Sequence, residues 1–366
     1  MNICYIISDI NKAVFFEHTA LLLRKHGIET DFILINSKQT SLDDFLINNG
    51  FRVNYLNVKS IKNSFKAILQ CKKYLKNMDI VHCHLGTANW VGLWAAKLVG
   101  IKKRIYTRHT GEPVKYSSKE KIIDKIQNSL ATDIVAISEN VREILLKQHV
   151  NPNKISLIHH GFDLNRFLNP NQEEVTRIKH QYNPNQQYPV IGVIARWMEG
   201  KGIQYIISAY KKILKDYPNA KLCLFNASEN GDYSKELNQL LSELPKSSFE
   251  IIEFEENVYD LYQLFDIYIH VPINASYEAF GQTYVEALAA GIPSIFTLSG
   301  IAREFINEKN AIIVAFKDEN HIFEGIEKIL NNEYFKSQLI QQGKKDVFKL
   351  FGLNTYIQNL IKLYRK

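Results

Sequence analysis

A chain of 366 residues that is 46% hydrophobic can bury two cores, and two domains are the expectation from length. Its 45 basic and 38 acidic residues leave a net charge of +7, and the lysines lack the interleaved aromatic platform that a nucleic-acid partner would require. No apolar run reaches the length of a membrane-spanning helix.

In chain order, MNICYIISDI reads as a first strand and lacks the basic start and cleavage region of a signal peptide, so a cytoplasmic setting is expected. Further short apolar runs follow: TDFILIN, FRVNYLNV, DIVHCH, KRIYTRH, DIVAIS and KISLIHHG. They alternate with stretches of helical spacing, the rhythm of a parallel sheet covered on both faces. A polar segment bearing prolines, NPNQEEVTRIKHQYNPNQQ, precedes a second set: YPVIGVIA, AKLCLFNA, FEIIEFEE, IYIHVP, PSIFTL and AIIVAF. Two Rossmann-like α/β domains are predicted. Cys4, Cys71, Cys83 and Cys223 show no paired spacing, which predicts reduced thiols.

The most informative stretch is ASYEAFGQTYVEALAAGIPSIF, where seven residues separate Glu278 from Glu286. TYVEALAA reads as a helix closed by Gly291, so a loop feeds a helix N-terminus. Backbone N–H groups of Gly281, Gln282 and Thr283 would there lack intrahelical partners and, with the helix dipole, favour an anion. Carboxylates repel phosphate and suit hydroxyl groups, so the two glutamates imply sugars on either side of that anion. Taken alone, two acidic residues near a helix start are equally explained by the dipole.

A second constellation lies in YPVIGVIARWMEGKGIQYIISAYKKIL. Arg196 follows the strand and Lys201 the next turn, where a guanidinium fork and an ammonium point charge can meet a diphosphate. Ordinary surface charge is the alternative for such a pair.

The run EAFGQTYVEALAAGIP resembles the donor-binding motif of family 4 glycosyltransferases, retaining enzymes of the two-domain GT-B fold. That resemblance implies two Rossmann-like domains facing across a cleft: residues 1–162 for the acceptor, with helix 350–366 crossing back, and residues 163–349 for the donor. It places Glu278 on the transferred sugar and Glu286 on the ribose, with Phe280, Gly281, Gln282 and Thr283 completing the donor site. It assigns Arg196 and Lys201 to the donor phosphates and puts His109, in KRIYTRHTGEPV, at the reaction centre. HHGFDLNRF resembles the domain-crossing segment. His82 and His84 resemble a strand-end histidine region; a metal site there would need ligands that no second Cys or His cluster supplies. No D-x-D triplet is present, and a reaction without metal or cofactor is expected. Departures are Asp9, Ile10, Asn11 and Lys12 in place of a glycine-rich turn, and Asn226 and Ala227 where relatives often place glycines. EFEENV sits where relatives embrace the base.

The implied activity is transfer of a hexose from a nucleoside-diphosphate sugar, with uridine preferred, to a glycan or lipid-linked glycan in surface polysaccharide or lipopolysaccharide synthesis. A nucleotide-sugar epimerase and a non-catalytic nucleotide-sugar binder are the alternatives. A nicotinamide oxidoreductase would need a third glycine in GKGIQY. Finally, KSIKNSFKAILQCKKYLKN predicts a helix with Lys59, Lys62, Lys66 and Lys73 in one stripe beside Ile61, Phe65, Ile68 and Leu75. Such a stripe can rest on anionic lipid, giving peripheral contact with the inner face of a membrane, or simply be solvated.

Overall fold

The computed structural model describes residues 1–10, 13–111, 117–227 and 233–366. The chain forms two compact units, Met1–Phe162 with Leu353–Lys366, and Asp163–Gly352.

The first unit is built on seven parallel strands: β1 (Asn2–Ser8), β2 (Glu29–Ile35), β3 (Val53–Leu56), β4 (Ile80–His84), β5 (Lys103–Arg108), β6 (Asp133–Ala136) and β7 (Ile155–Leu157). Their order is β3-β2-β1-β4-β5-β6-β7. From Ile3 to Ser8 every residue of β1 is buried, as a strand covered by helices on both faces must be. Register is fixed on both sides, with Tyr5 opposite Phe32 and His82. The helix Leu353–Arg365 belongs to this unit: Tyr356, Ile357, Leu360 and Leu363 pack with Ile3, Phe16 and Leu34. Its Tyr364 hydroxyl lies 2.5 Å from that of Tyr5 and 2.7 Å from His82 Nδ1, a buried polar seam that is hydrogen-bonded as burial demands.

The second unit carries six parallel strands: β8 (Val190–Ile194), β9 (Lys221–Phe225), β10 (Phe249–Ile252), β11 (Ile267–His270), β12 (Ser294–Phe296) and β13 (Ile312–Ile313). The order is β10-β9-β8-β11-β12-β13, so the direction of winding reverses between β8 and β11. Loops leaving two neighbouring strands in opposite directions open a crevice at their carboxyl ends, the usual ligand position in such sheets. Ile191, Val193, Ile207, Leu222, Ile269 and Ile295 form the core beneath it. Each of the thirteen apolar runs named above overlaps one of these strands.

Two departures acquire a structural meaning. Asp9 and Asn226 adopt φ of 55° and 60°, the left-handed region that Asp and Asn enter more readily than other side chains. Asn11 and Lys12, predicted to shape the first turn, lie outside the described residues.

The lysine-rich stretch differs from expectation. Instead of one helix, a 3-10 turn Ile61–Asn63 precedes the helix Phe65–Tyr74. Ala67, Ile68, Cys71 and Leu75 face the core, while Phe65 is 70% exposed and Leu69 43%. Phe65 stands exposed on the first turn of that helix, while Ser64 at the junction is buried. Trp90 Nε1 then donates to the Ser64 hydroxyl at 3.0 Å, anchoring the break.

Candidate donor site and its chemistry

Lys201 closes a 3-10 turn, Glu199–Lys201, beyond the carboxyl end of β8. The next residue, Gly202, holds φ at +74°, and a Cβ there would stand 2.0 Å from the Val271 carbonyl oxygen. Only glycine permits this close approach of the loops after β8 and β11. In consequence Lys201 Nζ reaches across to donate to Glu278 Oε1 at 2.5 Å.

Glu278 is almost fully buried and doubly held. His270 Nε2, at the end of β11, lies 3.1 Å from the same Oε1, and the Ser299 hydroxyl accepts from the Glu278 backbone N–H at 3.1 Å. Burial alone would raise its pKa, but the hydrogen bond and electrostatic effect of His270, and after them those of Lys201, outweigh it and bring the carboxyl to about 2. Burial pushes His270 in the opposite direction, toward the neutral ring. Lys201 adds a full positive charge in direct contact with Glu278. A neutral His270 donating from Nε2 leaves Nδ1 as an unmet acceptor, and that buried nitrogen indeed has no partner among the described residues.

The helix Gln282–Ala290 begins at Gly281, whose φ of +89° turns the chain into it. Among the described residues the Gln282 and Thr283 N–H groups have no hydrogen-bond partner, which leaves a positive helix end open to an anion. Glu286, one turn in, is also buried. It accepts from the Tyr262 hydroxyl at 2.9 Å and from Gln282 Nε2 at 2.6 Å. Its pKa is raised, because burial outweighs these two hydrogen bonds. The two glutamates thus sit in contrasting environments, one beside a cation and one beside neutral donors. Between them the Tyr268 hydroxyl feels both charges, Glu286 more strongly.

Arg196 lies just beyond β8 and is exposed; its side chain has no hydrogen bond or ion pair among the described residues. It acts electrostatically on Tyr277, over whose ring Lys201 Nζ sits at 5.7 Å. Both cations therefore flank one tyrosine on the loop that carries Glu278. Phe280 is buried, its ring against Phe351, and its carbonyl accepts from Ile301 N–H at 2.8 Å, so its part is to pack the loop. Trp197, beside Arg196, fills the core of this unit.

Sequence reasoning missed His270, Tyr262, Tyr268 and Ser299. The two-residue period of β11 places Tyr268 and His270 on one face at the strand's carboxyl end, a signal available in IYIHVP. Tyr262 carries no comparable mark.

His109 belongs to the first unit, just past β5. Its Nε2 lies 3.0 Å from Nδ1 of the buried His84, and its ring stacks on His160 at 5.4 Å. His82 spends both nitrogens on protein partners, the second on Thr107 Oγ1 at 2.8 Å. Among the described residues no three His, Cys, Asp or Glu side chains come together in a way that would hold a metal ion. Each of the four cysteines is free and buried.

Comparison with known proteins follows this geometry. Residues 13–166 match the model described as Glycosyltransferase Family 4, and residues 174–346 match Glycosyl transferases group 1. The capsular polysaccharide biosynthesis glycosyltransferase CapM of Staphylococcus aureus is 27% identical over 83% of this chain and 80% of its own. The alpha-monoglucosyldiacylglycerol synthase of Acholeplasma laidlawii is 26% identical over 71% of this chain and 70% of its own. Among solved structures, Anabaena Alr3699/HepE in complex with UDP and glucose superposes with a TM-score of 0.85 at 17% identity, over 99% of both chains.

Proposed function

Because the chain belongs to the family 4 glycosyltransferases, we propose that it transfers a hexose from a nucleoside-diphosphate sugar, with UDP preferred, to a hydroxyl of a glycan or lipid-linked glycan in the building of a surface polysaccharide. The observation that carries this reading is the Lys201–Glu278 pair beside the open N-terminus of the helix Gln282–Ala290.

The donor is held by the second unit and the acceptor by the first. An ammonium group has three N–H donors; Glu278 occupies one and leaves two for phosphate oxygens. Arg196 adds a fork that no other side chain engages among the described residues. The free Gln282 and Thr283 amides complete the diphosphate cradle. Beyond it Glu286 accepts from ribose hydroxyls and Glu278 from the hexose.

Expelling a nucleoside diphosphate demands at least about 8 kcal/mol of barrier lowering. A charge-assisted hydrogen bond supplies roughly 1.5–3 kcal/mol and a helix end roughly 0.3–2. Arg196, Lys201 and the amides approach the total only by acting on charge that grows as the diphosphate departs, with acceptor positioning providing the rest. The acceptor hydroxyl attacks the oxocarbenium-like sugar from the face that the diphosphate leaves and gives its proton to the departing diphosphate oxygen, which retains configuration.

Supporting a polysaccharide or glycolipid acceptor, CapM is named for capsular polysaccharide biosynthesis and the Acholeplasma laidlawii relative as an alpha-monoglucosyldiacylglycerol synthase. A peripheral contact with anionic membrane is favoured by one surface of the first unit: Phe65 and Leu69 exposed among Lys59, Lys62, Lys66, Lys72, Lys73 and Lys76, with no acidic residue from 59 to 78.

Incubation with a panel of nucleotide sugars and lipid-linked or soluble glycans, followed by nucleotide and product analysis, tests the reading. Acceptor-dependent nucleotide release supports it. Conversion of the donor sugar with no acceptor consumed would instead identify an epimerase.

A further inference from the structure

We infer that His84 is a positioning residue that holds His109 in the tautomer bearing its proton on Nδ1, so that His109 offers a hydrogen-bond donor to a carbohydrate oxygen instead of a base. Three observations in the first unit carry this. His84 is fully buried at the end of β4, its ring stacked on Tyr5 at 5.2 Å and met edge-on by Phe16 at 4.9 Å, so it cannot turn. Its Nδ1 faces His109 Nε2 at 3.0 Å. Its other nitrogen, Nε2, is buried with no partner among the described residues.

Desolvation among neighbouring imidazoles lowers the pKa of His84, and burial lowers that of His109, so both rings are neutral at pH 7. Each then carries one N–H. One proton must lie between His84 Nδ1 and His109 Nε2, and two assignments are possible. If His109 donated, His84 would carry its own proton on Nε2, leaving a buried N–H donor without a partner. Such orphaned donors are rare and cost about 1–3 kcal/mol. If His84 donates from Nδ1, its Nε2 is only an unmet lone pair, the milder defect. His109 Nε2 then accepts, and the remaining proton of His109 sits on Nδ1. His109 is half-buried and its Nδ1 has no partner among the described residues, so this N–H is available. The hydrogen bond a histidine makes with one nitrogen thus decides the chemistry of the other.

Two experiments test the inference, and only the second rests on the transferase reading. Long-range proton–nitrogen NMR of the full chain at pH 7, with His109 assigned through His109→Gln, reads its tautomer directly. The Nδ1–H form is expected in the unsubstituted protein, with a shift toward the Nε2–H form in His84→Phe; the Nε2–H form in the unsubstituted protein overturns the inference whatever the enzyme does. In the nucleotide-release assay, His109→Asn, whose amide can donate from the position of Nδ1 but cannot take a proton, should retain at least about threefold more turnover than His109→Ala. His109→Ala should lose at least tenfold. Equal losses in the two variants overturn the donor role. Absence of release from the unsubstituted protein with every donor would refute the transferase reading and leave the tautomer result standing.

Discussion

Lys201 and Glu278 define each other, and their separation by substitution has opposite consequences for the two partners. Lys201→Ala removes a full positive charge in direct contact with a buried carboxylate and also removes two N–H donors from the proposed phosphate cradle. Turnover should fall at least tenfold, as it should in Arg196→Ala, with circular dichroism showing the fold intact in both; unchanged turnover in both refutes the assigned roles. The acid limb of stability follows from the same pair. Glu278 has a native pKa of about 2 against an ordinary 4.5, so its contribution is complete above pH 4.5 and disappears as pH falls toward 2. Urea unfolding of wild type and Glu278→Gln should accordingly diverge at pH 7 and converge near pH 2.5. An equal gap at both pH values would contradict the ion-pair account.

Glu286 carries the reverse sign. Its pKa is raised by burial, so the folded protein holds the proton more tightly than the unfolded chain, and stability declines as pH rises through the shifted value. Glu286→Gln relieves that burden while giving up an acceptor for hydroxyl groups. Equal or greater resistance to urea at pH 7 together with weaker binding of uridine diphosphate is the expected pairing. Unchanged affinity in calorimetry would remove Glu286 from the ribose.

At the scale of elements, the site depends on two loops at the carboxyl ends of the adjacent central strands β8 and β11. Gly202→Ala would force a side chain into a left-handed backbone and onto the Val271 carbonyl, a strain of about 1–3 kcal/mol that the loop relieves by moving Lys201. A lower melting temperature and reduced turnover should appear together; a melting temperature equal to wild type would show that the loop tolerates the change. The strands themselves were legible because each is a short apolar run between polar helical stretches, as NICYIIS and AKLCLFNA illustrate. Glu278, Glu286 and Lys201 were legible because charged residues close to glycine turns stand out. Tyr262 was not, since its role comes from long-range packing: it lies on a 3-10 turn far from Glu286 in sequence yet donates to it. The lysine stretch misled for a related reason. Its apolar spacing continues through Ser64, but the backbone breaks there, so the stretch is not one helix; Ile68 and Leu75 are buried while Phe65, on the first turn, is exposed.

For the whole molecule, the two units share an architecture and divide the chemistry proposed for them. Reversal of winding between β8 and β11 explains why the cations and the carboxylates gather at the carboxyl ends of these central strands, although 77 positions separate Lys201 from Glu278. The basic surface around Phe65 belongs to the first unit, where a lipid-linked acceptor would arrive. Co-sedimentation with vesicles rich in anionic lipid should be lost in Phe65→Ser combined with Lys62→Glu and Lys66→Glu, and weakened by salt in the wild type. Equal sedimentation of the variant would assign that surface to solvent.

Lys201, held beside Glu278, is proposed to bind the diphosphate of a nucleotide sugar and to promote its departure. Nucleotide release across a donor panel, measured side by side for wild type and Lys201→Ala, tests it most directly. Release from at least one donor by the wild type, reduced at least tenfold in Lys201→Ala, is the predicted result; release at equal rates by both proteins would contradict it.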